Sequence, residues 1–116
     1  MKILFVENHA RFARLTAKQF LSQHEVTIVS SLCAAREIFD QNFEIVLVDY
    51  DLDDGKGDEL VRELSICAQQ PKIIAVSSHQ FGNDALLDAG ADAVCGKMRF
   101  AKIAQTIETL FETRSP

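Results

Sequence analysis

Five short apolar runs alternate along the chain with five longer stretches of helical period. The runs are Lys2 to Val6, Glu25 to Val29, Glu44 to Val48, Lys72 to Val76, and Ala93 to Cys95 with its neighbours. Four of them are nearly continuous in Ile, Val and Leu and lack the alternation of a half-exposed strand. Strands buried on both faces of a parallel sheet have this look. Between them, Ala13, Ala17, Phe20 and Leu21 fall at i, i+4, i+7 and i+8, and Ile103, Ile107, Leu110 and Phe111 repeat the template, so both stretches predict amphipathic helices. Leu60, Val61, Leu64 and Ala68 mark a third helix and Ala34, Ala35, Ile38 and Phe39 a fourth. The segment from about Phe81 to Ala89 predicts a weaker fifth, with Gly90 at its C-cap. Ser30 and Ser31 are N-cap candidates for the second helix in chain order. The pattern βαβαβαβαβα, with right-handed crossovers, predicts an α/β fold: a doubly wound five-stranded parallel sheet with five flanking helices.

Composition narrows the picture. At 116 residues the chain has room for one ordinary core and none for a second, so residues 1–116 are expected to form a single domain. Twelve Lys and Arg stand against 17 Asp and Glu, for a net charge of -5. That balance, without a basic cluster, disfavours a phosphate-backbone footprint and an anionic membrane surface. No apolar run approaches a bilayer span, and Glu7 interrupts the first one too early for a signal-peptide core, so a cytoplasmic location is expected. Cys33, Cys67 and Cys95 lack C-x-x-C spacing and are expected to be small core residues. His9 and His24 have no partner pattern and read as surface residues. The ending Thr113-Arg114-Ser115-Pro116 would suit a linker.

In folds of this kind ligands bind beyond the carboxyl ends of the strands, where strand order reverses. The residues at those ends are polar: Glu7 and Asn8 after the first strand, Asp49 and Asp51 after the third, Ser77 and Ser78 after the fourth, and Lys97 after the fifth. If the order is 2-1-3-4-5, Glu7, Asn8, Asp49, Ser77 and Lys97 converge on one rim. Clustered carboxylates repel unless a divalent cation sits among them, and Mg²⁺ accepts one or two carboxylates, a carbonyl, waters and a phosphate oxygen. A Lys ammonium and a Ser hydroxyl can hold the remaining oxygens of a phosphoryl group. The chemistry suggested is phosphoryl transfer onto a carboxylate.

With these residues in order, the chain resembles the receiver domain of bacterial two-component response regulators, a flavodoxin-like fold of the chemotaxis-regulator type. The resemblance runs from Lys2 to about Glu112. It rests on Ile3-Leu4-Phe5-Val6-Glu7-Asn8, on Ile45-Val46-Leu47-Val48-Asp49-Tyr50-Asp51-Leu52 with Gly57 eight residues after Asp49, on Ile73-Ile74-Ala75-Val76-Ser77-Ser78, and on Gly90-Ala91-Asp92 leading to Lys97. The resemblance implies that Asp49 accepts a phosphoryl group from a histidine kinase or phosphotransfer protein. It further implies that Glu7, Asn8, Asp49 and the backbone carbonyl of Asp51 hold Mg²⁺, and that Ser77 and Lys97 bind the phosphoryl oxygens. A phosphorelay signal would leave through a changed surface around the fourth helix, fifth strand and fifth helix, read by a downstream protein or output domain. The domain itself would contact neither nucleic acid nor membrane, and a homodimer is among the assemblies it allows. It would not be an enzyme beyond its own aspartyl phosphorylation and dephosphorylation.

Four positions depart from the family pattern. Asn8 replaces an acid, so weak Mg²⁺ affinity is expected. Val94 stands where the family has an aromatic switch residue, so coupling outward from Ser77 must run differently or be weak. Met98 replaces the proline after Lys97, which predicts a trans peptide and a repositioned loop, because a cis bond without proline costs about 3 kcal/mol. Asp53 replaces a proline and adds negative charge near the mouth. His79 and Asp51 flank the acceptor and read either as tuners of acyl-phosphate hydrolysis or as exposed loop residues. The alternative function is a pseudo-receiver, the same scaffold working as an unphosphorylated interaction module. An enzyme of the flavodoxin type is poorly supported, since G-x-G-x-x-G, Walker A and Ser-His-acid patterns are all missing.

Overall fold

The computed structural model describes residues 1–112. In chain order the elements are β1 (Lys2–Val6), α1 (Ala10–Phe20), β2 (Glu25–Val29), α2 (Leu32–Ile38), β3 (Ile45–Val48), β4 (Asp51–Leu52), β5 (Gly55–Lys56), α3 (Gly57–Ser65), β6 (Lys72–Ala75), α4 (Gln80–Ala89), β7 (Ala93–Val94), a 3₁₀ segment (Lys97–Lys102) and α5 (Ile103–Phe111). Five strands form one sheet in the order β2-β1-β3-β6-β7 with every neighbouring pair parallel. Counting only those five, this is the expected 2-1-3-4-5, with its five helices.

Successive residues of a strand point to opposite faces, and the apolar runs use both. Leu4, Val6, Val46, Val48, Ile73 and Ala75 pack against α2, α3 and α4. Ile3, Phe5, Ile45, Leu47, Ile74 and Val76 pack against α1 and α5. This two-sided burial is why the central strands carry no polar alternation. β2, at the edge, is only half buried. Ser31 caps α2, its Oγ accepting from the Ala34 amide at 3.0 Å. Gly90 closes α4 at φ 126, a backbone state that favours glycine.

Several expectations need correction. α3 stops at Ser65, so Ala68 lies beyond it and is exposed. The Ser65 hydroxyl donates to the carbonyls of Val61 and of Ala89, in the loop-side end of α4, drawing the chain off the helical path. Cys33 sits on the exposed side of α2 and Cys67 is half buried; only Cys95 is a buried core residue. His24 is half buried, its Nδ1 3.2 Å from the N-terminal amine. The antiparallel pair β4–β5 and the 3₁₀ segment have no counterpart in the expected pattern, because two-residue strands in a polar run have no period to detect. The Thr113 to Pro116 tail lies outside the described residues. Among the described residues no peptide bond is cis, in line with the trans bond expected at Met98, and no helix is long and apolar enough to cross a membrane.

Candidate functional site

The carboxyl ends of β1 and β3 are locked side by side, the Asp49 amide donating to the Val6 carbonyl at 2.9 Å. That bond sets Glu7 and Asp49 next to one another. Glu7 is fully buried and Asp49 is 4% exposed. Lys97 crosses from the far end of the sheet and closes the cluster, its Nζ 2.8 Å from Glu7 Oε2 and 3.1 Å from Asp49 Oδ2. The other Asp49 oxygen accepts from the Tyr50 amide at 2.8 Å, and Glu7 Oε2 also accepts from the His9 amide at 3.1 Å. With both carboxylates ionised, two negative charges face one ammonium. Burial pushes the Glu7 carboxyl up to about 7; the Lys97 hydrogen bond opposes this and the Asp49 charge adds to it.

Among the described residues two buried side-chain oxygens have no hydrogen-bond partner, Glu7 Oε1 and Asn8 Oδ1. They lie on consecutive residues at the end of β1. Unpaired buried oxygens are costly and call for an occupant. Both are hard oxygen donors, and with the Asp49 carboxylate they are of the kind a small divalent cation takes. Among the described residues no three His, Cys, Asp or Glu side chains group closely enough to hold a metal by themselves. A cation here would therefore draw on the Asn8 amide or on backbone oxygen.

The expected residues do not all converge. Lys97 contacts both Glu7 and Asp49, and Asn8 follows Glu7 in the chain. Ser77 is buried, and its carbonyl accepts from the Lys97 amide at 3.3 Å, which ties the ends of β6 and β7 together. The Asp51 side chain is exposed and engaged by Lys56 rather than by the cluster; any part Asp51 has in the site falls to its backbone. His79 is the exposed N-cap residue of α4.

Three supporting residues escaped the sequence reading. Asn83 is buried, and its side-chain amide accepts from the Ser77 N–H at 2.9 Å and donates to the Ser77 carbonyl at 3.1 Å, pinning that residue from both sides. Its signal, a lone Asn inside a weak helical pattern, looks like any surface polar residue. Gly82 lets α4 close on the site: a Cβ there would stand 2.5 Å from Ser77 Oγ. Phe100 replaces proline as the anchor of the Lys97 loop. It is buried, stacked on Phe5 at 5.7 Å and edge-on to Phe12 at 5.6 Å, while Met98 projects into solvent, 89% exposed. The loop runs as a 3₁₀ segment, and Lys97 at its start reaches both carboxylates, with Nζ 5.3 Å from the centre of the Phe12 ring.

No protein-family model matches the sequence, and no curated protein matches it. Solved structures do. The receiver domain of the sensor histidine kinase PA1611 from Pseudomonas aeruginosa PAO1, which has a magnesium ion coordinated in its active-site cleft, is 23% identical with a TM-score of 0.81, over 93% of this chain and 94% of that one. The signal receiver domain of a DNA-binding response regulator from Colwellia psychrerythraea 34H is 20% identical with a TM-score of 0.82, over 97% and 99%. A CheY-like response regulator receiver domain protein from Methanospirillum hungatei JF-1 is 24% identical with a TM-score of 0.78, over 94% and 91%. The chain therefore has the receiver-domain fold.

Proposed function

We propose that this chain is a signal-transduction receiver that accepts a phosphoryl group on Asp49 from a histidine kinase or phosphotransfer protein and alters a partner-binding surface in response. The observation that carries the reading is the contact of one lysine with both buried carboxylates, Lys97 with Glu7 and Asp49, beside the unpartnered Glu7 Oε1 and Asn8 Oδ1. The fold shared with the Pseudomonas and Colwellia receivers supports it.

In this mechanism an Asp49 carboxylate oxygen attacks phosphorus, the phosphorus–nitrogen bond of the donor phosphohistidine breaks, and an acyl phosphate remains on Asp49. Lys97, already 3.1 Å from Asp49 Oδ2, pairs with the phosphoryl oxygens as charge moves onto them. Ser77, held by Asn83, offers its hydroxyl to the same group. Mg²⁺ would be held by Glu7, Asn8, Asp49 and the Asp51 carbonyl, and would supply neutralisation of the charge gathered at the acceptor. Beyond this self-catalysed chemistry the chain would not be an enzyme. It would work in the cytoplasm, bind neither nucleic acid nor membrane directly, and pass its signal to a downstream protein or output domain.

The test is intact mass after incubation with acetyl phosphate and Mg²⁺. One phosphoryl adduct, lost in Asp49→Asn, is the expected result. The second reading, a pseudo-receiver working without phosphorylation, is favoured by the missing acid at Asn8; no adduct in the wild-type chain under any condition would establish it over the first.

A further inference from the structure

The hairpin that follows the acceptor is tied to a distant helix. Asp54, in the two-residue turn between β4 and β5, accepts from the Leu32 amide at 2.7 Å and from the Cys33 amide at 3.0 Å, one carboxylate oxygen to each. These are the first two amides of α2, and the third bond at that end, from Ala34, goes to the local cap Ser31. α2 therefore has a cap from its own sequence neighbourhood and a second one from a residue 22 positions after Leu32. A seven-residue helix already capped by Ser31 does not need that second cap to form. The hairpin gains more: the Asp53 amide donates to the Ser30 carbonyl at 3.2 Å, and Leu52 and Leu32 share one core cluster. The Cys33 amide, then that of Leu32, holds the Asp54 carboxyl below its ordinary value, the mark of bonds made to the charged form.

We infer that Asp54 is a positioning residue of the cation site: by latching the hairpin to the amino end of α2 it holds the Asp51 backbone in place behind Asp49, and through the same latch α2 senses occupancy of the site. The inference rests on the proposed cation-binding role of Asp51. It gives the chain a route outward that does not depend on Ser77, on Val94 or on a proline after Lys97. Coupling of this kind is reciprocal, so a cation that favours the latched hairpin must also strengthen the bonds to Leu32 and Cys33.

The chain has one Tyr, Tyr50, and no Trp, so tyrosine fluorescence reports on the residue beside the acceptor. Mg²⁺ titrations followed by that signal and by calorimetry are compared for wild type, Asp54→Ala and Ser31→Ala. Ser31→Ala weakens the same end of α2 without touching the hairpin. Asp54→Ala is expected to raise the Mg²⁺ dissociation constant about fivefold or more, with Ser31→Ala within about twofold of wild type, although both lower the melting temperature. In the wild type, Mg²⁺ is expected to slow hydrogen exchange at the Leu32 and Cys33 amides. An Asp54→Ala affinity equal to wild type, an equal loss in Ser31→Ala, or Mg²⁺ binding that leaves those two amides unchanged overturns the latch. Absence of any saturable Mg²⁺ binding by the wild type overturns the cation site itself, and the latch with it.

Discussion

Lys97 is the residue on which the site's electrostatics turn. Among the described residues it is the only cation touching two carboxylates that lie almost wholly out of water, and removing one member of such a set leaves uncompensated buried charge. Lys97→Met is expected to destabilise the metal-free chain by about 3 kcal/mol at pH 8. At pH 5 the loss should be clearly smaller, because Glu7 is then protonated and no longer leaves a buried charge unpaired when the lysine is removed. Urea unfolding at the two pH values checks this; an equal loss at both would mean that packing of the lysine stem, not its charge, is what matters. The identity of these residues was legible from position alone, since strand ends in a parallel sheet are where ligands bind. Asn83 was not, because its role depends on a backbone six residues away folding up against it.

The elements matter by how closely they let the loop around Asp49 close. Gly57, the first residue of α3, donates its N–H to the Tyr50 carbonyl at 2.6 Å, and a Cβ on it would stand 2.0 Å from the Asp49 carbonyl oxygen and 2.8 Å from Val48 Cγ1. No side-chain rearrangement relieves a clash with backbone, so the chain around Asp49 must move. Gly57→Ala should cost about 3 kcal/mol and reduce labelling of Asp49 by acetyl phosphate; a stable variant with wild-type labelling would show that the loop has slack. The 3₁₀ segment after Lys97 follows the same logic. There the family resemblance implied proline and the chain has Met98, and the anchoring passes to Phe100 in the aromatic cluster of Phe5, Phe12 and Phe20. An exposed Met98 next to a buried Phe100 could not have been told apart beforehand, since both are large apolar residues in a short segment without period.

For the molecule as a whole, the buried Glu7 couples stability to pH. Its folded carboxyl titrates near 7 against an ordinary value of 4.5, so the folded state holds a proton that the unfolded state has released. Stability from this group is complete below about pH 4.5, declines as pH rises toward 7 and is gone above it, a difference of at most about 3 kcal/mol. Urea midpoints of the metal-free chain between pH 5 and 8 should fall with pH more steeply than those of Glu7→Gln. Excess Mg²⁺ should restore stability at pH 8 and do little at pH 5, since a cation binds the ionised carboxylate and stabilises the fold by mass action. Equal pH slopes in the two proteins would place the titration elsewhere.

Local pattern was enough for the five-stranded parallel sheet, its helices and the polar rim. Burial on both faces of the strands forces continuous apolar runs, and amphipathic helices repeat every three to four residues; both are periodic signals that survive without coordinates. Contacts made by side chains outside any periodic pattern leave no such trace. The clasp of Lys97 on Glu7 and Asp49, the Asn83 amide closing on Ser77 and the Asp54 carboxylate reaching α2 exist only because the fold brings those atoms together, and short-range hydrogen bonding and charge then select which neighbours pair.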